Sequence, residues 1–317
     1  MSQSESRIIG SPIQPSSLLL WSSNFCFVLC TIFFDILHDH SLNTTAKMQG
    51  LNRVKTVLDK GQLALGVWQL LPGSNMSRTL ARAGYDWVLV DCEHGNIDDA
   101  AMHEAVPAIT SYGVSPIVRV PDFQSWMIKR ALDAGAHGVL APLVRTVEDT
   151  KAFVEACQFP PQGKRGFGSP FPMDRFGRNV SAAQYLTEAN ANLLLAVQIE
   201  TKEAFDNVDA IAAVDGLDVL FVGPFDLGNG IGHPVLGATF APELEQAIET
   251  IMKAAHNAGK KAGIYCGNGK QAKQYADLGY DLVNVVTDVG ALTSSLASEM
   301  EIVTQKAGKT ASGPYGS

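Results

Sequence analysis

The chain predicts an α/β fold: a closed (β/α)8 TIM barrel with one extra C-terminal helix. Three observations carry this. Leu193-Leu-Leu-Ala-Val-Gln-Ile-Glu200 and Val219-Leu-Phe-Val-Gly-Pro-Phe-Asp226 are runs of branched and aromatic residues that end in a carboxylate. A strand apolar on both faces belongs to a parallel sheet covered by helices. Such runs alternate with helical-period stretches through residues 51–307, about the length one barrel uses. Several helical stretches stop at a glycine (Gly84, Gly135, Gly259, Gly279), where a left-handed C′ residue is wanted. A doubly wound open sheet is the alternative, but Leu71-Pro-Gly-Ser-Asn after the first strand lacks a G-x-G-x-x-G fingerprint.

Taken in order, strands are expected at 63–70, 87–91, 115–120, 138–143, 194–199, 219–222, 262–265 and 282–286. Helices are expected at 75–83, 98–112, 124–134, 147–157, 203–214, 242–258, 269–278 and 289–305. One connection breaks the rhythm. Residues 158–180 are rich in Gly, Pro and Arg and precede a helix at 181–189. Loops of that length are functional or disordered. Part of this one is free to cross the bottom of the barrel, and it is expected to reach the mouth.

Residues 1–47 do not share the pattern. No charge occurs from Ile8 to Phe34, and residues 18–37 are mostly apolar, close to the ~20 residues that cross a bilayer. A membrane anchor and a cleaved signal are two readings. Arg7 offset by Glu5 is a poor basic n-region for a signal. The preferred expectation is a non-domain extension, with the working protein starting near Met48, a barrel over 48–307 and a flexible tail over 308–317.

The formal charge of −8 opposes nucleic acid and anionic membrane as partners. An anionic substrate then needs local positive charge, so single arginines carry weight. Five scattered cysteines with no CxxC fit reduced thiols in a cytoplasmic protein.

Chemistry concentrates at strand ends, the mouth of a barrel. The second strand ends Val90-Asp91-Cys92-Glu93-His94-Gly95. Asp91 and His94 can meet in a turn, where a carboxylate fixes the imidazole tautomer. The alternative is a helix cap with solvent-facing polar residues. Arg119 lies inside the apolar strand Pro116-Ile-Val-Arg-Val-Pro121 and must find an anion. That anion is either a structural acid such as Glu93 or a substrate oxygen. Glu200 and Asp226 are two carboxylates one βα unit apart. They suit Mg2+, Mn2+ or a similar ion that keeps open positions, or else they cap helices. Gln198 shares the sheet face of Glu200. Tyr185 and Arg175 count only if the long loop folds over the mouth, and Gly166-Phe-Gly168-Ser169 is a weak anion cradle. His137, just before the fourth strand, reads as structural.

Together these stretches resemble the HpcH/HpaI aldolase family of the phosphoenolpyruvate/pyruvate superfamily. The carriers are Trp87-Val-Leu-Val-Asp-Cys-Glu-His94, Pro116-Ile-Val-Arg-Val-Pro121, Ile128-Lys-Arg-Ala-Leu-Asp-Ala-Gly-Ala136, Pro160-Pro-Gln-Gly-Lys-Arg-Gly-Phe-Gly-Ser169, Val197-Gln-Ile-Glu-Thr201 and Val222-Gly-Pro-Phe-Asp-Leu227. The resemblance implies a carbon–carbon lyase, a class II metal-dependent pyruvate aldolase. It would cleave a 4-hydroxy-2-oxo acid, such as a 4-hydroxy-2-oxoheptanedioate, reversibly to pyruvate and an aldehyde through a metal-held enolate. It implies Glu200 and Asp226 as ligands of Mg2+, Mn2+ or Co2+, His94 as base oriented by Asp91, and Arg119 on the keto oxygen. Gln198 would stand beside the ion, and the amides after Gly223 would hold the pyruvyl carboxylate. It further implies a homo-oligomer, trimer or hexamer, with the last helix exchanged between subunits.

Two residues depart from the family pattern: Cys92 where glycine is common, and Phe225, where a small residue is usual, so that the pocket narrows. The loop Ser169-Pro-Phe-Pro-Met-Asp-Arg-Phe-Gly177 looks more like a fungal branch that includes macrophomate synthase. That makes an oxaloacetate decarboxylase or enolate-trapping synthase, with Tyr185 as a loop tyrosine, the alternative. No lysine ends a predicted core strand, which disfavours Schiff-base chemistry. A reading of another class is a membrane-tethered, non-catalytic binding protein anchored by 18–37.

Overall fold

The computed structural model describes residues 48–237 and 239–306. The apolar stretch at 18–37 and the tail at 308–317 lie outside them. Among the described residues no helix is long and apolar enough to cross a membrane.

Eight parallel strands close into a barrel in chain order: β1 (Ala64–Gln69), β2 (Trp87–Asp91), β3 (Ser115–Arg119), β4 (Gly138–Ala141), β5 (Leu194–Ile199), β6 (Val219–Val222), β7 (Lys261–Ile264) and β8 (Leu282–Thr287). β8 pairs with both β7 and β1, so no sheet edge is left. Ahead of β1 runs α1 (Arg53–Asp59). Around the barrel lie α2 (Ser74–Ala81), α3 (Asp99–Thr110), α4 (Ser125–Ala134), α5 (Val147–Cys157), α6 (Met173–Phe176) and α7 (Ala182–Asn192). They are followed by α8 (Lys202–Asp206), α9 (Val208–Ala212), α10 (Pro224–Gly230), α11 (Pro242–Asn257), α12 (Gly269–Leu278) and α13 (Asp288–Thr304).

The period of two sorts the strand side chains into two cores. Trp87, Leu89, Ile117, Leu140, Leu194 and Phe221 fill the barrel, while Val88, Val90, Val118 and Leu195 pack outward against the helices. Gly66 in β1 is required because a Cβ there would overlap the Trp87 indole.

The barrel's N-terminal end is plugged by α1, an element too short to show a sequence period. Its Val54 and Leu58 join the inner core. Asn52 donates to the carbonyls of His137 (2.9 Å) and Asn192 (2.7 Å). His137 sits in this plug, stacked on Phe176 at 4.3 Å, with Nε2 donating to the Arg175 carbonyl at 2.8 Å. Full burial pushes its pKa down to about 4 from 6.5.

The sign of the consequence follows from linkage. The folded state resists the proton that the unfolded chain takes up below pH 6.5, so stability falls as pH drops from 6.5 to 4. The loss expected from this group is of order 3 kcal/mol. His137→Gln should flatten that limb, read by urea unfolding of both proteins at pH 7 and pH 4.5. An unchanged difference between the two pH values would refute the assignment.

Two expectations are corrected. The crossover helix at 203–214 is two helices, α8 and α9, broken at Asn207. The Asn207 amide donates to the Glu203 carbonyl at 2.8 Å and competes with the helical ladder.

The long loop does not reach the mouth of its own barrel. It leaves α5 at the bottom and must return to the bottom to enter β5, so it crosses that end. Ser169 Oγ donates to the Asp133 carbonyl at the end of α4 (2.9 Å). Buried Arg165 binds Asp133 and the Tyr185 hydroxyl, both at 3.1 Å, and lies 4.5 Å over Phe159. Tyr185 is wholly buried in that cluster. Neither Ser169 nor Tyr185 lies with the residues of the mouth.

Candidate active site

At the opposite end, a cavity of about 460 Å3 is lined by His94, Arg119, Gln198, Glu200, Gly223 and Asp226, with Trp68, Phe225 and Tyr265 on its wall. Arg119 and Gln198 arrive by strand register, Glu200 one residue past β5 and His94 in the turn after β2. Asp91 and Arg119 are Cα partners on β2 and β3, both facing inward at the last position of their strands.

Asp91 is fully buried and saturated with donors. Oδ1 accepts from Arg119 Nε (2.9 Å) and the backbone N–H of Glu93 (3.0 Å) and His94 (3.2 Å). Oδ2 accepts from Trp68 Nε1 (2.9 Å) and Arg119 Nη2. Burial pushes its pKa up, but the Arg119 charge and these bonds outweigh it and hold the carboxyl below its usual range. Asp91 therefore shapes the His94 turn through the backbone and anchors Arg119.

The carboxylate recorded beside the His94 imidazole is that of Glu93, with Oε1 3.9 Å from Nε2. Oε2 of Glu93 lies 2.9 Å from Arg119 Nη1, in an ion pair rather than a directed hydrogen bond. Burial raises the Glu93 pKa against the pull of Arg119 and His94.

The guanidinium thus stands between two acids, 4.8 Å over the Trp68 ring, and its Nη1 also donates to Gln198 Oε1 at 3.3 Å. Gln198 passes the chain on, donating to Glu200 Oε2 at 2.7 Å. Glu200 Oε1 accepts the Leu143 N–H at 2.8 Å. Leu143 holds φ 52° to present it, a left-handed conformation that costs a branched residue about 1 kcal/mol. Burial drives the Glu200 pKa up to about 8, moderated by the Leu143 N–H and Arg119.

Gly223 closes the site from β6. A Cβ there would collide with Glu200 Oε2 and crowd Gln198, so the backbone must come bare to the carboxylate. Asp226 follows on the first turn of α10, exposed on the same cavity.

The donor set passes a chemical test for a hard divalent ion. Glu200 is a buried carboxylate whose ionised form needs a countercharge, and Asp226 faces the same space. Each Glu200 oxygen spends one lone pair on Leu143 or Gln198 and keeps another. Among the described residues no group of three or more His, Cys, Asp or Glu is placed to hold a metal. Two carboxylates are fewer ligands than a closed structural cage needs, and would leave positions for waters or substrate oxygens.

Sequence reasoning missed Trp68, Leu143, Val235 and Tyr265. Trp68 and Tyr265 were findable as the large side chains at the ends of the first and seventh strands, by the same rule that found Glu200.

The family model described as HpcH/HpaI aldolase/citrate lyase matches residues 64–295. A hydroxypyruvate/pyruvate aldolase of Rhizorhabdus wittichii is 36% identical over 245 residues, covering 77% of this chain and 96% of that protein. A 5-keto-4-deoxy-D-glucarate aldolase of Shigella boydii is 35% identical over 244 residues, covering 77% and 93%. Among solved structures, an HpcH/HpaI aldolase/citrate lyase family protein from Burkholderia cenocepacia superposes with TM-score 0.73 at 35% identity, over 80% of this chain and 99% of that one. Macrophomate synthase superposes with TM-score 0.68 at 28% identity, over 81% and 91%. The barrel with its helices between strands is the fold these proteins share, and the chain is an enzyme of the HpcH/HpaI aldolase/citrate lyase family.

Proposed function

We propose that this enzyme is a divalent-metal-dependent pyruvate aldolase, cleaving a 4-hydroxy-2-oxo acid reversibly to pyruvate and an aldehyde. The observation that carries the reading is the convergence of Glu200, Asp226, Arg119 and His94 on one cavity. Glu200 and Asp226 would hold Mg2+, Mn2+ or Co2+, which when bound supplies Lewis acidity toward a 2-oxo acid.

The chain's own residues do the rest. Arg119, fixed from two sides by Asp91 and Glu93, holds a preorganised positive charge where negative charge develops on the keto oxygen. His94, half-exposed at the rim, takes the C4 hydroxyl proton in the cleavage direction and returns it in condensation. The first turn of α10, after Gly223, offers N–H groups without helical partners to the substrate carboxylate. EDTA should abolish pyruvate release, followed by coupling to lactate dehydrogenase, and Mg2+, Mn2+ or Co2+ should restore it. Chelator-insensitive turnover would remove the metal from the reading.

The enolate-trapping alternative rested on the likeness of the loop at 169–177 and, beyond it, on Tyr185. That tyrosine is buried at the far end of the barrel, and the relatives at 35–36% identity are named aldolases, which favours the aldolase reading. In this reading the protein is a homo-oligomer, trimer or hexamer. Its support is α13, whose Leu292, Leu296, Met300, Ile302 and Val303 are 48–80% exposed, more apolar area than a solvated helix leaves bare. Light scattering should give the mass of three or six chains; a monomer at micromolar concentration would end that part.

A further inference from the structure

We infer that the aldehyde partner of this site is a small neutral carbonyl compound with an apolar or aromatic substituent, not a semialdehyde bearing its own carboxylate. This deepens the aldolase reading and rests on it.

The cavity is divided by chemistry. Its polar half is the belt from His94 through Arg119 and Gln198 to Glu200 and Asp226. The rest of its lining is mostly aromatic and aliphatic, with Asn229 as a further amide. Trp68 and Tyr265 meet edge to face at 5.3 Å, Phe225 meets Tyr265 at 6.1 Å, and Val235 lines the same space. Leu236, beside Val235 on the same mouth loop, is 90% exposed.

Phe225 precedes Asp226 on the first turn of α10 and lines the same cavity as Glu200 and Asp226. In condensation, C3 gives up a proton and bonds to the aldehyde carbon. The carbonyl oxygen takes a proton and becomes the C4 hydroxyl, so no co-reactant is consumed. The aldehyde's substituent must then point away from the belt, toward the apolar half.

Charge argues the same way. Among the described lining residues only Arg119 and His94 carry or can acquire positive charge. Arg119 is flanked by Asp91 and Glu93, and His94 lies beside Glu93. Four carboxylates, Asp91, Glu93, Glu200 and Asp226, stand in or directly behind the wall. A second substrate carboxylate would lose its water against aromatic rings and find no cation of its own.

The test uses the full chain loaded with Mn2+. Exchange of pyruvate C3 protons in D2O, followed by NMR, reads enolate formation without any aldehyde. Aldol formation is then compared for butanal, benzaldehyde and succinic semialdehyde. The expected result is exchange, with kcat/KM for the two neutral aldehydes at least about 10-fold above the semialdehyde. Val235→Arg, which places a cation on the apolar half, should shift the semialdehyde-to-butanal ratio at least about 10-fold toward the acid. Exchange with equal or better use of the semialdehyde would overturn the inference and leave the aldolase reading standing. No exchange with Mn2+ present would overturn both.

Discussion

Glu200→Gln is expected to cut kcat for pyruvate release by about three powers of ten, or about 4 kcal/mol of barrier, and to leave the fold intact. The side chain keeps its shape, and its amide oxygen still accepts the Leu143 N–H. The contact with Gln198 is lost, because Gln198 Oε1 is already committed to Arg119. That costs about 1 kcal/mol. The loss stays small because burial, by raising the Glu200 pKa to about 8, already keeps the metal-free carboxyl mostly protonated near pH 7, so the variant exchanges one neutral group for another of the same shape. Thermal unfolding without metal should therefore move by only a few degrees, while calorimetry should show Mn2+ binding weakened at least about 10-fold. A variant that turns over normally with metal, or binds Mn2+ as tightly as the parent, would show that Glu200 serves only to brace Leu143.

Why Glu200 was legible in the sequence, and its surroundings only partly, has a physical answer. A parallel barrel buries both faces of every strand, so β2, β5 and β6 appear as apolar runs whose bounds match the structure. A carboxylate that ends such a run can only stand at the mouth. The same logic placed Gln198 by parity and Arg119 by the anomaly of a guanidinium inside β3.

Parity does not say which of several neighbouring acids an inward group will choose. Asp91 and Glu93 both converge on Arg119 because β2 and β3 pair in register at Asp91↔Arg119, a fact of pairing rather than of either strand alone. The loop at 158–180 was misjudged because its length and composition say nothing of direction. The deciding constraint is that α5 runs antiparallel to β4 and ends at the bottom, where β5 must begin. α1 escaped notice because seven residues show no period, although Asn52, which caps it by accepting from Lys55 N–H, is the kind of residue that marks a helix start.

Arg119→Ala should be the most destabilising single change at the site. Asp91 is 0% exposed and Arg119 4%. Removing the cation strands one buried carboxylate and a second mostly buried one, Glu93. Breaking such a pair from one side costs about 3–5 kcal/mol, or roughly 10 °C in Tm for a barrel of this size. Activity should vanish with it, but loss of both quantities does not by itself separate a structural countercharge from a group that meets substrate.

Arg119→Lys separates them. An ammonium restores one positive charge between Asp91 and Glu93, so much of the lost Tm should return. It has no planar fork, however, and cannot bond both oxygens of Asp91 while also reaching Gln198. The expected outcome is a protein within a few degrees of the parent in Tm and at least about 100-fold lower in kcat/KM for the 2-oxo acid. Recovery of kcat/KM together with Tm would mean that charge alone suffices, and that Arg119 holds the mouth together without touching the chemistry.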